Sequence, residues 1–181
     1  MKKVGKITPL SQYITDKMRA RRLELGISAK ELSEQISLFG GESVVGNIES
    51  VSTSLKYTTS TLRKAVEALD WTLKDVLPNE LLDDDTLQDK TCIPILKGMS
   101  IKAALNSLLE QGFFDEPHDI KAVTAYYNTF FKPEDQKVDS DFSAQLEDLY
   151  NEGKLTKIPA DRPKGETRLK FVRKGDSDIK S

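Results

Sequence analysis

The sequence predicts a mainly helical chain of two modules, five helices within residues 8–78 and an α+β module within residues 99–174. Three observations point there. Apolar residues recur at helical spacing through both halves. Glycine and serine fall where helices stop and start in the first half. Near the C-terminal end the period changes from helical to alternating. The 181 residues suffice for two small domains, and a hydrophobic share of 38% beside 31% charged residues supports packed cores rather than a disordered chain.

The first helix is expected over about Ser11–Leu25, with Ile14, Met18 and Leu25 on one face. Gly26 is its natural stop. Ser28-Ala29-Lys30-Glu31 then reads as a capping box, Ser28 as N-cap and Glu31 at the third helical position. Leu32 and Ile36 continue this second helix on a buried face, and Gly40-Gly41 loosen the turn after it. A third short helix is expected at Glu42–Glu49, with Val44, Val45 and Ile48 as its apolar side. Gly46 inside it costs roughly 1 kcal/mol against alanine, so something there favours a small residue. A fourth helix, about Thr59–Leu69, carries Leu62, Val66 and Leu69. Thr72-Leu73-Lys74-Asp75 opens a fifth, which Pro78 ends.

Residues 79–98 read as an acidic linker. Asp83-Asp84-Asp85 cannot join a core, and Ile93-Pro94 favours extended backbone. Beyond it, Ile101, Leu105, Leu108 and Leu109 mark a helix ending at Gly112. Ile120, Val123, Thr124 and Tyr127 mark another, capped by Asp119. Phe142, Leu146, Leu149 and Tyr150 mark a third, over Asp139–Asn151. Leu155 and Ile158 then alternate with polar neighbours, and after a polar loop Leu169 and Phe171 alternate again. Three helices followed by a hairpin are the outline of a winged helix, with residues 175–181 as a tail.

The net charge is −2, yet it is unevenly spread. Residues 1–30 hold Lys2, Lys3, Lys6, Lys17, Arg19, Arg21, Arg22 and Lys30 against Asp16 and Glu24. Residues 79–91 hold five acidic groups against Lys90. Such blocks matter more than the total for association with a polyanion.

Two helices joined by a short turn around glycine form a unit that other proteins use on DNA. With Arg22-Leu23-Glu24-Leu25-Gly26-Ile27-Ser28, Glu31-Leu32-Ser33, Asn47-Ile48-Glu49, Thr61–Leu69 and Leu73–Pro78 in order, Met18–Pro78 resembles the lambda-repressor/Cro-like (Xre) helix-turn-helix family. Val45–Ser50 followed by Lys56-Tyr57 is similar to one bacterial subgroup of it. The resemblance covers about a third of the chain. One departure lies between Leu32 and Glu49, about two residues longer than the family spacing, with the extra residues placed in Leu38–Gly41.

The resemblance implies that the third helix enters the major groove of double-stranded DNA and that residues near its start meet base edges. Here these are Glu42, Ser43, Val44, Gly46 and Asn47. Asn bonds adenine bidentately, Glu accepts from cytosine and Ser is less selective. Gly46 either permits close backbone approach to DNA or eases packing against another helix. Phosphate contacts would come from Lys17, Arg19, Lys30, Lys56, Tyr57, Thr58 and Thr59. Thr59 has a competing role as cap of the fourth helix, and Arg19 and Arg21 have one as solvated surface charges. Arg22 and Glu49, by the same resemblance, pair and brace the first helix against the third rather than touch bases.

In the second module the acidic residues Asp139, Asp141, Glu147 and Asp148 disfavour insertion of the third helix beside phosphates and suit a protein partner. The wing, with Arg162, Lys164, Arg168, Lys170 and Arg173, could track a nucleic-acid backbone or serve dimerisation. Phe113, Phe114, Tyr126, Tyr127, Phe130 and Phe131 are expected in the core or at an interface.

No enzyme constellation stands out. His118 is the sole histidine, in a loop-like Glu-Pro-His-Asp stretch that suits a surface residue, and Cys92 is the sole cysteine, so neither a zinc site, a Cys-His nucleophile nor an intrachain disulfide is expected. No phosphate-cradling Gly-rich loop is present and no cofactor is expected. No apolar run approaches membrane-spanning length, and the expected location is the cytoplasm. The expected function is a sequence-specific, homodimeric transcriptional repressor without catalysis. The rival expectation, motivated by the acidic balance and the uncharged third helix, is a protein-interaction adaptor such as an antitoxin or anti-repressor.

Overall fold

Thr8 is extended and its hydroxyl accepts from the Ser11 N–H, while Pro9 supplies a first helical position that needs no N–H; together they start α1 (Pro9–Glu24). This computed structural model describes residues 4–37, 43–78, 85–159 and 169–174. α1 ends at Gly26, whose φ of 72° is the left-handed conformation glycine adopts without strain. Ser28 and Glu31 then exchange the reciprocal bonds of a capping box, 3.1 Å from the Glu31 N–H to the Ser28 hydroxyl and 2.6 Å from the Ser28 N–H to the carboxylate. They open α2 (Ala29–Ile36), followed by α3 (Val44–Glu49), α4 (Thr59–Ala68) and α5 (Leu73–Val76).

Met18, Leu32, Ile36, Val45, Leu62, Ala65, Val66, Leu69 and Val76 form the core among these helices. Full burial of one such Leu or Val side chain stabilises by roughly 1.5–3 kcal/mol. Leu25, expected on the apolar face of α1, is instead exposed. The stripe α1 buries is partly polar: Gln12, Thr15, Met18, Arg19, Arg22 and Leu23. Glu42, expected to begin the third helix, lies outside the described residues, as do Leu38–Gly41.

Two short strands join this unit from outside the five helices. β1 (Lys6–Ile7) pairs antiparallel with β2 (Gln88–Asp89), Lys6 opposite Asp89. The chain divides into two compact units at Ile93 and Pro94. Within the expected linker 79–98, the described residues 88–95 are parts of the two folded units rather than linker. Residues 88–93 are bonded into the first unit, through the strand pair and through the Thr91 N–H to the Gln12 side chain at 3.2 Å. Ile95 is buried in the core of the second unit, and the Ser107 hydroxyl donates to the Pro94 carbonyl at 2.5 Å. Asp83 and Asp84 lie outside the described residues, and Asp85 is exposed.

The second unit contains α6 (Ile101–Glu110), α7 (Ile120–Asn128), α8 (Asp139–Asn151), β3 (Leu155–Pro159) and β4 (Leu169–Arg173). Ser100 and Asp119 cap α6 and α7, and Gly112 and Gly153 take positive φ after α6 and α8. β3 and β4 form an antiparallel pair, Leu155 opposite Arg173 and Pro159 opposite Leu169. Phe114, Val123, Tyr127, Phe142, Leu146 and Phe171 fill the core. Phe113, Phe130 and Phe131 pack against its edge, and Tyr126 is exposed. His118 departs from expectation. It is half-buried, its ring stacks on Phe113 at 4.1 Å between centroids, and its backbone exchanges hydrogen bonds of 2.9 and 2.8 Å with Phe171. Taken together, the molecule is mainly helical with a small β component.

Candidate nucleic-acid interface

α3 and its N-cap Ser43 divide between core and solvent. Val45 and Ile48 are buried, Ser43 and Asn47 are exposed, and Val44 and Gly46 are half-buried. The helix is pinned to α2 by a polar link inside the core. The Val45 N–H donates to the Ser33 hydroxyl at 3.0 Å, and that hydroxyl donates to the Ala29 carbonyl at 2.6 Å. This satisfies one of the N–H groups that a helix start leaves without an internal partner. Ser43, Val44, Gly46 and Asn47 thus share one short outward-facing element.

Gly46 has open space around it except toward Ser43 among the described residues. A Cβ built there meets the Ser43 hydroxyl at 2.5 Å and the Ser43 Cβ at 3.7 Å, and no other helix among the described residues. Among the described residues, no neighbouring helix packs where that Cβ would stand.

Arg22 and Glu49 lie where α1 meets α3. The guanidinium donates to both carboxylate oxygens, at 3.0 and 2.6 Å, and to the Ile27 carbonyl at 2.7 Å. Arg22 is fully buried, so one cation braces α1, the turn before α2 and the end of α3.

The basic and hydroxyl candidates separate into two groups. Lys30, at the start of α2, is exposed and lies 3.9 Å from Glu34. Lys56, Thr58 and Thr59 are exposed ahead of and at the start of α4, and Lys17 is half-buried with its ammonium 5.8 Å from the Tyr13 ring. The cap of α4 is Thr58 rather than Thr59, since its hydroxyl accepts from the Thr61 N–H at 3.2 Å. Thr59 is left as the first helical residue.

Arg19 and Tyr57 are corrections. Arg19 is 3% exposed and donates to the Ile93 carbonyl at 3.0 Å, so it is neither a surface charge nor placed to meet a phosphate. Position 19 lies on the buried helical stripe with Thr15 and Arg22, none of them apolar, so hydrophobic spacing alone does not mark it. Tyr57 packs against the first core, and its hydroxyl is buried with no hydrogen-bond partner among the described residues. Burial pushes that phenol well above its ordinary range, the Glu49 carboxylate adds to the effect and Arg22 opposes it. A phosphate cannot reach this hydroxyl as placed. Arg21 is also engaged, donating to the Leu69 carbonyl at 3.1 Å with its guanidinium 5.5 Å from the Trp71 ring centre.

Lys90, which no local sequence pattern marks, lies against this region. Lys90 is 2% exposed, and its ammonium donates to the carbonyls of Ile48, Thr53 and Leu55, the last at 2.9 Å. Burial pushes its pKa down, while Cys92, Glu49 and Asp16 pull it back up.

In the second unit Arg162, Lys164 and Arg168 lie outside the described residues, and Lys170 is half-buried. Arg173 is engaged within the unit, 3.2 Å from Asp115 and bonded to the Leu109 carbonyl. On α8, Asp141 accepts from the Val138 N–H at 2.9 Å and Glu147 pairs with Lys157 at 2.5 Å. Lys157 also lies 4.2 Å from the centre of the Tyr150 ring. The acidic helix is thus partly neutralised by its own strand β3. A cleft of about 380 Å³ opens here, lined by Asp119, Ile120, Asp139, Glu147, Leu169 and Phe171.

Among the described residues, no group of three or more His, Cys, Asp or Glu side chains could hold a metal ion, and no helix is long and apolar enough to cross a membrane. No family model, no curated protein and no solved structure matches the chain.

Proposed function

We propose that the chain is a sequence-specific, double-stranded-DNA-binding transcriptional regulator, a repressor, that reads the major groove with α3 and acts as a homodimer. The observation that carries this reading is the outward face of α3. Ser43, Val44, Gly46 and Asn47 are turned away from the core on a helix whose other side is anchored by Val45, Ile48 and the Arg22–Glu49 pair. A short helix fixed this way offers hydrogen-bonding side chains and a bare glycine to a groove, the helix-turn-helix mode of docking. Exposed Lys30, Lys56, Thr58 and Thr59 on neighbouring elements supply groups suited to phosphates. Two copies on half-sites about one helical turn apart, roughly 34 Å, would double the contact.

A second reading, a protein-interaction adaptor, is favoured by a specific observation. Arg19 and Arg22 of the basic N-terminal block are buried, so less positive charge faces solvent than the residue count implies. Heparin chromatography and a mobility shift with mixed-sequence duplex separate the two. The regulator is retained near physiological salt and its DNA affinity falls steeply as salt rises. Absence of retention and of any shifted band would support the adaptor.

A further inference from the structure

We infer that Lys90 is a positioning residue for the DNA-reading helix, clamping the end of α3 and the loop that leads to Lys56 and Thr58 from a strap of chain outside the five helices. The inference rests on the proposed role of α3. The last carbonyls of a helix have no partner within it. In α3 those of Asn47 and Ile48 find partners outside the helix. The Thr53 hydroxyl donates to Asn47 at 2.5 Å, and the Lys90 ammonium donates to Ile48. A cation at a helix C-terminus is also favoured by the helix dipole. The remaining donors of the ammonium go to the Leu55 carbonyl at 2.9 Å and the Thr53 carbonyl at 3.4 Å. One side chain therefore holds three carbonyls of the stretch 48–55.

The N-terminal segment grips the same stretch. The Gly5 N–H donates to the Val51 carbonyl at 2.8 Å and the Lys6 N–H to the Ser54 hydroxyl at 2.9 Å. Gly5 lies so close that a Cβ there would stand 2.0 Å from the Thr53 carbonyl oxygen. The two grips are themselves joined, by the β1–β2 pair and by the Lys90 N–H to the Gly5 carbonyl at 2.9 Å. Lysine is almost never this deeply buried unless its charge is satisfied. An apolar side chain of similar length would fill the space but hold no carbonyl. What lysine adds is fixed placement of the segment between Asn47, offered to bases, and Lys56 and Thr58, offered to phosphates.

The test uses the full-length chain and two variants. Lys90→Met removes the donors while keeping the length. Asp89→Lys sets a second cation opposite Lys6, where an exposed pair at 2.6 Å now stands, and loosens the strap without touching the core. Amide hydrogen exchange is measured first, without DNA. The expected result is faster exchange in residues 50–57, by about tenfold or more in Lys90→Met and less in Asp89→Lys, with α2 and α4 protected as before. With DNA, the preference for a selected duplex over bulk DNA should fall about tenfold in Lys90→Met, while bulk affinity changes by less than about threefold. Unchanged exchange at 50–57 in both variants would overturn the inference. So would a uniform rise across all five helices with specific and bulk binding lost together, the signature of simple destabilisation. If the wild-type chain shows no sequence preference, the reading role of α3 falls, and the exchange pattern alone still decides whether Lys90 clamps the loop.

Discussion

The Arg22 guanidinium meets the Glu49 carboxylate edge to edge, Nε to Oε1 at 3.0 Å and Nη2 to Oε2 at 2.6 Å, with the arginine side chain fully enclosed and the glutamate 10% exposed. A buried pair of this kind gains little over well-packed apolar residues, because both charges lose hydration, but removing one partner strands the other. Glu49→Ala and Arg22→Ala should each destabilise by about 3–5 kcal/mol. The combination Arg22→Met with Glu49→Leu should lie closer to wild type than either single change. Urea unfolding of the four proteins measures this, and single variants indistinguishable from wild type would show that the pair does not brace α1 against α3.

Tyr57→Phe separates a surface contact from a buried one. The hydroxyl is buried and unbonded among the described residues, so deleting it should raise stability by about 1 kcal/mol. DNA affinity should stay unchanged at any salt concentration. A loss of affinity with no gain in stability would return Tyr57 to the phosphate contacts.

Much of this fold is legible in the sequence because its signals are local. The capping box of Ser28 and Glu31, the stop at Gly26 and the periodic stripes of α4, α6 and α8 each lie within a few residues, and each element forms within about two residues of its expected bounds. The β1–β2 pair is different. Its two-residue strands are too short to carry a period, and their partners lie some eighty residues apart. Lys90 follows from that pairing and looks like a surface charge until the pairing is known. The site is half legible for the same reason. The outward residues of α3 follow from its register, whereas the burial of Arg19 and Tyr57 depends on which segment packs over them.

Gly46→Ala probes close approach directly. Its Cβ would meet only the Ser43 side chain among the described residues, whose hydroxyl can turn away. Alanine is also the better helix former by about 1 kcal/mol. The variant should therefore be as stable as wild type or more so, yet bind duplex DNA more weakly. Thermal unfolding and a mobility shift on the same preparation check both halves, and undiminished DNA binding would remove the glycine from the interface.

Acid pH reports on the cap of α5. The Asp75 carboxylate accepts from the hydroxyl and the backbone N–H of Thr72, each at 2.7 Å, and these bonds lower its pKa below the ordinary value of 3.8. A carboxyl whose folded pKa is depressed contributes stability above the unfolded value and loses it as pH falls through the folded one. Asp75→Asn should therefore be less stable than wild type at neutral pH. The difference should shrink progressively below pH 3.8. A difference constant with pH would mean that the carboxylate charge plays no part in the cap.

Whether α3 reads base sequence is decided by selecting bound duplexes from a random pool at moderate salt. The expected result is an enriched site bound about a thousandfold or more tightly than bulk DNA. In the same experiment Asn47→Ala should relax one base position by about 1–3 kcal/mol and leave the others intact. A pool in which the wild-type protein enriches no sequence over bulk DNA would mean that α3 does not read bases.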